Sequence, residues 1–126
     1  MRTTIIFLPI NTVSRSNVRM NRFVLAKRTK SEREAAMLIT RDGVSSCGLP
    51  TGKQIRGISM VRYGVRLLDP GNLPGSMKAV QDGVCDALGI DDGPWQRTGI
   101  RWSYDQKRVK RENAGVEVTI ESEEPT

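Results

Sequence analysis

The sequence predicts a single α+β domain in which a mixed β-sheet packs against about two helices. Some segments alternate apolar and polar residues with the period of two typical of strands, and others carry apolar residues at helical spacing. These segments follow one another in the order β-α-β-α-β-β. A chain of 126 residues is long enough for one modest core but not for two. We therefore expect one domain over residues 1–120 and an acidic, disordered tail over residues 121–126.

The N-terminal half contributes a strand and a short helix. Residues 3–9 form an apolar segment that predicts the first strand. Residues 11–30 are basic and lack apolar periodicity, so we expect a loop or an irregular arm there. The capping-box spacing of residues 31–34 and the apolar residues after it predict a helix closed by residues 42–43. Residues 43–54 are rich in Gly, Ser, Pro and Thr and predict a loop.

A second strand is predicted over residues 61–67, where valine, tyrosine and leucine alternate with arginine and glycine. This pattern indicates one apolar face and one basic face, the latter carrying Arg62 and Arg66. The strand would deliver Asp69 at its C-terminal end, where sheets of α/β type commonly place ligand sites.

A second helix is predicted from about Ser76 to Leu88, with Lys78 and Asp82 on the face opposite its apolar residues. Two interpretations of these side chains stay open. They form an ordinary surface pair at i,i+4, or Lys78 steadies a phosphate or an attacking water that Asp82 orients.

The last two strands are predicted over residues 100–104 and 116–120, both of which alternate with period two. The basic residues 105–113 between them predict a hairpin loop that enters a nucleic-acid groove or is simply solvated.

Composition excludes several kinds of chemistry. The chain contains no histidine, so it has no Ser-His or Cys-His nucleophile pair and no His-ligated zinc. Its two cysteines, Cys47 and Cys85, lie far apart and are expected to be reduced thiols. No apolar run approaches the length of a membrane span or of a signal-peptide core, so we expect a cytoplasmic protein. Any hydrolysis must depend on carboxylates and a metal, with lysine as a further candidate.

Charge is segregated along the chain, whose net charge is +6. Residues 1–66 and 97–111 are strongly basic, residues 67–96 are acidic, and the tail from Glu112 carries glutamates alone among charged residues. Two basic segments thus bracket an acidic one. This layout favours a metal pocket facing a phosphate backbone, because carboxylates are the ligands that Mg²⁺ prefers and basic residues contact phosphates.

The acidic segment resembles the RusA family of Holliday-junction resolvases, in particular its phage-type branch. The matching residues, all between residues 65 and 95, are Asp69, Asn72, Leu73, Lys78, Asp82, Asp91 and Asp92. In that family an Asp-x-Asp-Asn-Leu segment leads through a lysine and an aspartate to an Asp-Asp pair. One position departs from the pattern, since Gly71 replaces the second aspartate.

The resemblance implies a RusA-like fold, a homodimer, and cleavage of branched DNA with Mg²⁺ or Mn²⁺. It implies Asp69, Asp92 and Lys78 as catalytic residues, and Asp69, Asp91 and Asp92 as metal ligands. Asn72 and Asp82 would support them. A helix over residues 76–88 spans roughly 20 Å, which places Asp69 and Asp92 at opposite ends. Either the flanking loops fold back, or a partner chain supplies the second aspartate.

DNA contacts are expected from the basic segments. The candidate residues are Arg15, Arg19, Arg22, Lys27, Arg28, Arg62, Arg66, Lys107, Arg108, Lys110 and Arg111. Two other functions stay open: a junction-binding relative that cuts weakly or not at all, favoured by Gly71, and an RNA-binding or ribosome-associated basic protein.

Overall fold

A four-stranded mixed sheet with the strand order β1-β4-β2-β3 organises the molecule. The computed structural model describes residues 1–12, 22–48 and 54–123. The strands are β1 (Arg2–Leu8), β2 (Ile55–Gly64), β3 (Arg101–Arg108) and β4 (Gly115–Ser122). The helices are α1 (Arg22–Cys47), α2 (Leu73–Ser76), α3 (Lys78–Leu88) and α4 (Trp95–Thr98), with 3₁₀ turns at Pro70–Asn72 and Arg111–Asn113. Strands β2 and β3 are parallel, whereas β4 is antiparallel to both β1 and β2. The predicted α+β class, mixed sheet and order of main elements are confirmed.

The core lies on one face of the sheet, beneath α1 and α3. Inward side chains of all four strands meet the apolar face of α3 there; the fully buried members include Leu8, Ile58, Met60, Val80, Val84, Val118 and Ile120. Helices α1 and α3 cross closely at Gly83, where a Cβ atom would clash with the carbonyl oxygen of Arg33. On the opposite face of the sheet Ile5 and Phe7 are exposed.

Helix α1 is much longer than predicted. The expected loop over residues 11–30 is wrong for residues 22–30, which are helical, and residues 13–21 lie outside the described part. The first turns of α1 are mostly exposed, so good helix formers rather than an apolar stripe account for them. The predicted end at residues 42–43 is also wrong. Gly43 lies within the helix against Ile6, and the positive φ of Gly48 (62°) follows the last helical residue.

Strand β2 has the opposite phase from the prediction. It begins at Ile55, and its inward positions continue through Ile58 and Met60 to Arg62, which is only 4% exposed. The Arg62 guanidinium donates to the Thr12 carbonyl at 2.8 and 3.2 Å, to its hydroxyl at 3.1 Å, and to the Arg66 carbonyl at 2.9 Å. Desolvation lowers the pKa of Arg62. Hydrogen bonding to oxygens therefore allows a cation to occupy a core position.

The predicted hairpin between the last two strands is wrong as well. Strands β3 and β4 lie on opposite sides of β2, and residues 105–108 belong to β3 itself. Strand β4 continues to Ser122, so the first residues of the predicted tail belong to the sheet, and residues 124–126 lie outside the described part. Over the described ranges, no helix has the length and apolar character needed to cross a membrane.

Candidate functional site

The chain after α3 folds back along the helix and brings Asp92 to Lys78. Gly89 ends the helix in the left-handed conformation (φ 66°), and the Ile90 amide donates to the Cys85 carbonyl at 3.1 Å. The return places the Asp92 carboxylate beside the first turn of α3, although α3 is 11 residues long. One chain therefore assembles Lys78, Asp82 and Asp92, and a partner chain is not required to bring these three together.

Lys78 lies between two carboxylates. Its ammonium group contacts Asp82 Oδ1 at 3.1 Å and forms a shorter bond to Asp92 Oδ2. The hydrogen bond that Lys78 donates to Asp92 is the main cause of its raised pKa, and Asp82 adds to it. The i,i+4 surface pair is therefore present. It is also part of a larger group, because the second carboxylate comes from a loop 14 residues away.

Two further residues, absent from the predicted site, hold Asp92 in place. Gln81 Nε2 donates to Asp92 Oδ2 at 3.3 Å, and the hydroxyl of Tyr104 on β3 donates to Gln81 Oε1 at 2.6 Å. Burial is the main cause of the raised pKa of Tyr104. Gln81 is a polar residue on the buried side of α3, and a buried amide requires partners; that signal was available in the sequence. We call Lys78, Gln81, Asp82, Asp92 and Tyr104 the Lys78 cluster.

Asp69 lies on an exposed segment that is bonded to β3 on the face that carries Tyr104. The backbone of Leu68 exchanges two hydrogen bonds with the Gln106 side chain, at 2.9 and 2.8 Å. Gln106 and Tyr104 alternate with exposed residues and share one face of the strand. Their positions are about 7 Å apart along it. The segment carrying Asp69 and the Lys78 cluster are thus anchored at successive inward positions of β3. The backbone N–H of Asn72 donates to the backbone carbonyl of Asp69 at 2.8 Å.

Asp91 has different partners from Asp92. Its carboxylate accepts from Arg97 at 2.6 Å and from the Gly93 amide at 2.9 Å, and these bonds lower its pKa, the one from Arg97 most. The structure therefore does not bring Asp91 into the Lys78 cluster as the resemblance implied. No group of three or more His, Cys, Asp or Glu side chains that could hold a metal occurs within the described ranges. The carboxylates that do converge are those of Asp82 and Asp92.

The predicted DNA-binding residues fall into three groups. Arg62 is buried and hydrogen-bonded inside the fold, so its assignment to a basic, solvent-facing surface is wrong. Arg15 and Arg19 lie outside the described residues. The remainder lie at the surface, where Arg28 is half-buried and donates to the Asn11 carbonyl at 2.8 Å. The others are exposed: Arg22, Lys27, Arg66, Lys107, Arg108, Lys110 and Arg111.

Five of these cations gather near one edge of the sheet. Parallel strands end on the same side, so Arg66 after β2 lies near Lys107 and Arg108 at the end of β3. The Val109 amide donates to the Gly64 carbonyl at 2.9 Å, which ties the two strand ends together. Asp69 follows within the same region. We call Arg66, Lys107, Arg108, Lys110 and Arg111 the basic edge.

Comparisons with known proteins add little. No family model and no curated protein matches the sequence. Among solved structures, a cyanuric acid hydrolase is similar over 94% of this chain, with 9% sequence identity and a TM-score of 0.48. The chain spans 36% of that protein's length. A likeness this low carries no argument about function.

Proposed function

We propose that the protein is a Mg²⁺-dependent endodeoxyribonuclease that acts on branched DNA in the cytoplasm, as its resemblance to RusA-type resolvases implies. One observation supports this most strongly. Two carboxylate oxygens, Asp82 Oδ1 and Asp92 Oδ2, converge on a single cationic nitrogen. A third carboxylate, Asp69, follows a residue that is bonded to Gln106, two positions along β3 from Tyr104. A point where two carboxylates already hold a cation is a reasonable place for a metal ion.

The donor set fits Mg²⁺. This ion is usually bound through one or two carboxylates and keeps several waters, so a cluster of three protein ligands is not needed. Asp92 and Asp82 are the residues that would hold it, with Asp69 as the third candidate; Asp91, paired with Arg97, is the least suited. When bound, the ion would supply an activated water and neutralise charge on the leaving oxygen.

The protein side chains have separate roles in this proposal. Gln81 and Tyr104 fix the orientation of the Asp92 carboxylate through two successive hydrogen bonds. Lys78 compensates one of the two carboxylate charges when no metal is present, and it is a point charge suited to a phosphate oxygen. The basic edge would bind the phosphate backbone and set the affinity for DNA. Because Lys78, Asp82 and Asp92 come from one chain, a symmetric homodimer would present two such sites to a symmetric four-way junction.

Gly71 favours an alternative in which the protein binds junctions but cuts them weakly or not at all. The position lacks the carboxylate that the resembling family carries there. Its backbone does not require glycine, since Gly71 is absent from the positive-φ residues and a Cβ atom would meet nothing within 4 Å. The missing carboxylate is therefore not explained by the fold, and catalysis depends on Asp69, Asp82 and Asp92.

The test uses the purified protein and a labelled synthetic four-way junction, with duplex DNA and structured RNA as competitors. We expect junction binding that survives excess RNA, and cleavage with Mg²⁺ but not with EDTA. Binding without cleavage supports the alternative, and preference for RNA excludes both.

Charge reversal along the basic edge tests the DNA surface. Replacing Lys107, Arg108, Lys110 and Arg111 with glutamate should lower the slope of log affinity against log salt by about 0.9 for each phosphate that the protein no longer neutralises. Reversal of Arg41 alone, an exposed residue of α1, is a single-site control to be compared with the reversal of Arg108 alone, and it should leave the slope almost unchanged. An unchanged slope in the multiple variant would exclude the basic edge as the DNA surface.

A further inference from the structure

Trp95 is exposed on α4, three residues after Asp92 in the sequence. Its side chain is 48% exposed, and α4 has no buried residue. Leaving a large aromatic side chain in water forgoes the burial that normally stabilises it. Core packing therefore does not account for a tryptophan at this position.

Arg101, the first residue of β3, lies against the indole. Its guanidinium carbon is 4.0 Å from the centroid of the Trp95 ring. Across the sheet Arg101 is paired with Gly57, which has no side chain to cover it. Arg101 makes no ion pair with any residue in the described ranges. Over these ranges no carboxylate balances its charge, and an anion from solvent can therefore approach the guanidinium.

We infer that Trp95 and Arg101 form a stacking site for an unpaired nucleobase, with the indole taking the base and the guanidinium taking the adjoining phosphate. Aromatic side chains bind single-stranded nucleic acid by stacking, and this is tolerant of sequence because every base has a π-face. The cation of Arg101 beside the ring favours an anionic nucleic acid over an apolar protein segment as the occupant. The inference rests on the DNA binding proposed above, and it adds a contact for unpaired bases at the branch point, close in sequence to Asp92.

The chain offers a direct optical test because it has two tryptophans. In Trp102→Phe the only indole is Trp95, and in Trp95→Phe the only indole is the half-buried Trp102. Each variant is titrated with an oligothymidylate of about ten nucleotides in EDTA, so that cleavage plays no part. We expect the emission of Trp102→Phe to be quenched as oligonucleotide binds, and that of Trp95→Phe to change little. Circular dichroism checks that both variants fold; if Trp102→Phe does not, the difference between wild type and Trp95→Phe gives the Trp95 signal.

Affinity gives the second measurement. Trp95→Ala should weaken oligothymidylate binding by roughly ten- to hundred-fold, and Trp95→Phe should keep most of the affinity because phenylalanine also stacks. Arg101→Gln should weaken binding and reduce its salt dependence, whereas Arg56→Gln, which removes a cation paired with Glu123, should have a much smaller effect.

Unchanged affinity in Trp95→Ala, or quenching by duplex but not by oligothymidylate, would overturn the inference. Quenching by an apolar peptide in place of DNA would identify a protein contact and also overturn it. The nuclease proposal can fail independently. If Trp95 emission is quenched by oligothymidylate but the protein never cuts a junction, the stacking site stands without the nuclease. If the protein cuts junctions and Trp95→Ala binds and cuts as wild type does, the nuclease stands without the stacking site.

Discussion

Replacing Lys78 with methionine should tighten Mg²⁺ binding. The ammonium group now occupies the space between the carboxylates of Asp82 and Asp92, so an incoming metal must displace it. Each of these contacts is worth about 1 kcal/mol at this separation in a water-dominated setting. Removing both should raise Mg²⁺ affinity by about 2 kcal/mol, or about thirty-fold. Stability should fall by at most about 2 kcal/mol, because Lys78 is exposed and each of its two surface ion pairs contributes about 0–1 kcal/mol.

The assay is calorimetric titration of Mg²⁺ into wild type and Lys78→Met at one ionic strength. Lys107→Met, which removes an exposed lysine of β3, is the control and should bind Mg²⁺ as wild type does. Junction cleavage by Lys78→Met should fall even though the metal binds more tightly, since the charge that holds phosphate is removed. If Lys78→Met binds Mg²⁺ no better than Lys107→Met does, Asp82 and Asp92 are not the metal ligands.

Three other predictions follow from individual positions. Gly71→Asp should fold normally, since a Cβ atom there has open space, and it should cut a junction faster at limiting Mg²⁺. A folded variant that cuts no faster at any Mg²⁺ concentration would count against a metal site of the RusA type. Arg62→Met should lower stability by about 3 kcal/mol and the melting temperature by about 10 °C, because the carbonyls of Thr12 and Arg66 lose their hydrogen-bond donor. The slope of log DNA affinity against log salt should stay at the wild-type value. A shallower slope would show that Arg62 contacts DNA phosphates after all. Burial, helped by the carboxylates of Asp92 and Asp82, raises the pKa of the Cys85 thiol to about 12 from 9.0. In a Cys47→Ser background this thiol should resist Ellman's reagent at pH 8 until urea unfolds the chain. The thiol loses its proton more easily in the unfolded chain, with a pKa near 9.0, than in the folded protein. The free energy of unfolding should therefore fall as the pH rises from 9 toward 12, and Cys85→Ala should make that fall shallower. Rapid modification of the native protein would contradict the burial of Cys85.

The parts of the fold that were predictable are those where one face is buried. Strands β3 and β4 and helix α3 carry clean periodicities because each faces the core on one side only. The first turns of α1 face mainly water, so no apolar stripe marked them. In β2 the predicted alternation holds only over residues 61–64, because the strand ends at Gly64 and residues 65–67 are exposed. Its buried set is Ile58, Met60 and Arg62, one residue out of phase with the prediction. A buried, hydrogen-bonded arginine reverses an assignment based on hydrophobicity.

The candidate site also has one part that the sequence predicted and one part that it did not. The pairing of Lys78 with Asp82 follows from helical spacing and was predictable. The return of Asp92 was not, because it depends on the left-handed Gly89 and on hydrogen bonds through Gln81 to Tyr104. Such contacts join residues from separate elements, and local sequence does not determine them. The length of α3 left two alternatives, a loop that folds back or an aspartate from a partner chain, and the segment after α3 folds back to bring Asp92 to Lys78.

Cleavage of a labelled four-way junction by Asp92→Asn and Asp91→Asn tests the central claim most directly. The two substitutions remove the same charge from neighbouring residues, but only Asp92 contacts Lys78 and Gln81. We expect Asp92→Asn to lose Mg²⁺-dependent cleavage while binding the junction within about twofold of wild type, because phosphate contacts dominate affinity. Asp91→Asn should retain most of the wild-type rate. Wild-type cleavage by Asp92→Asn, or loss of cleavage in Asp91→Asn alone, would contradict the account.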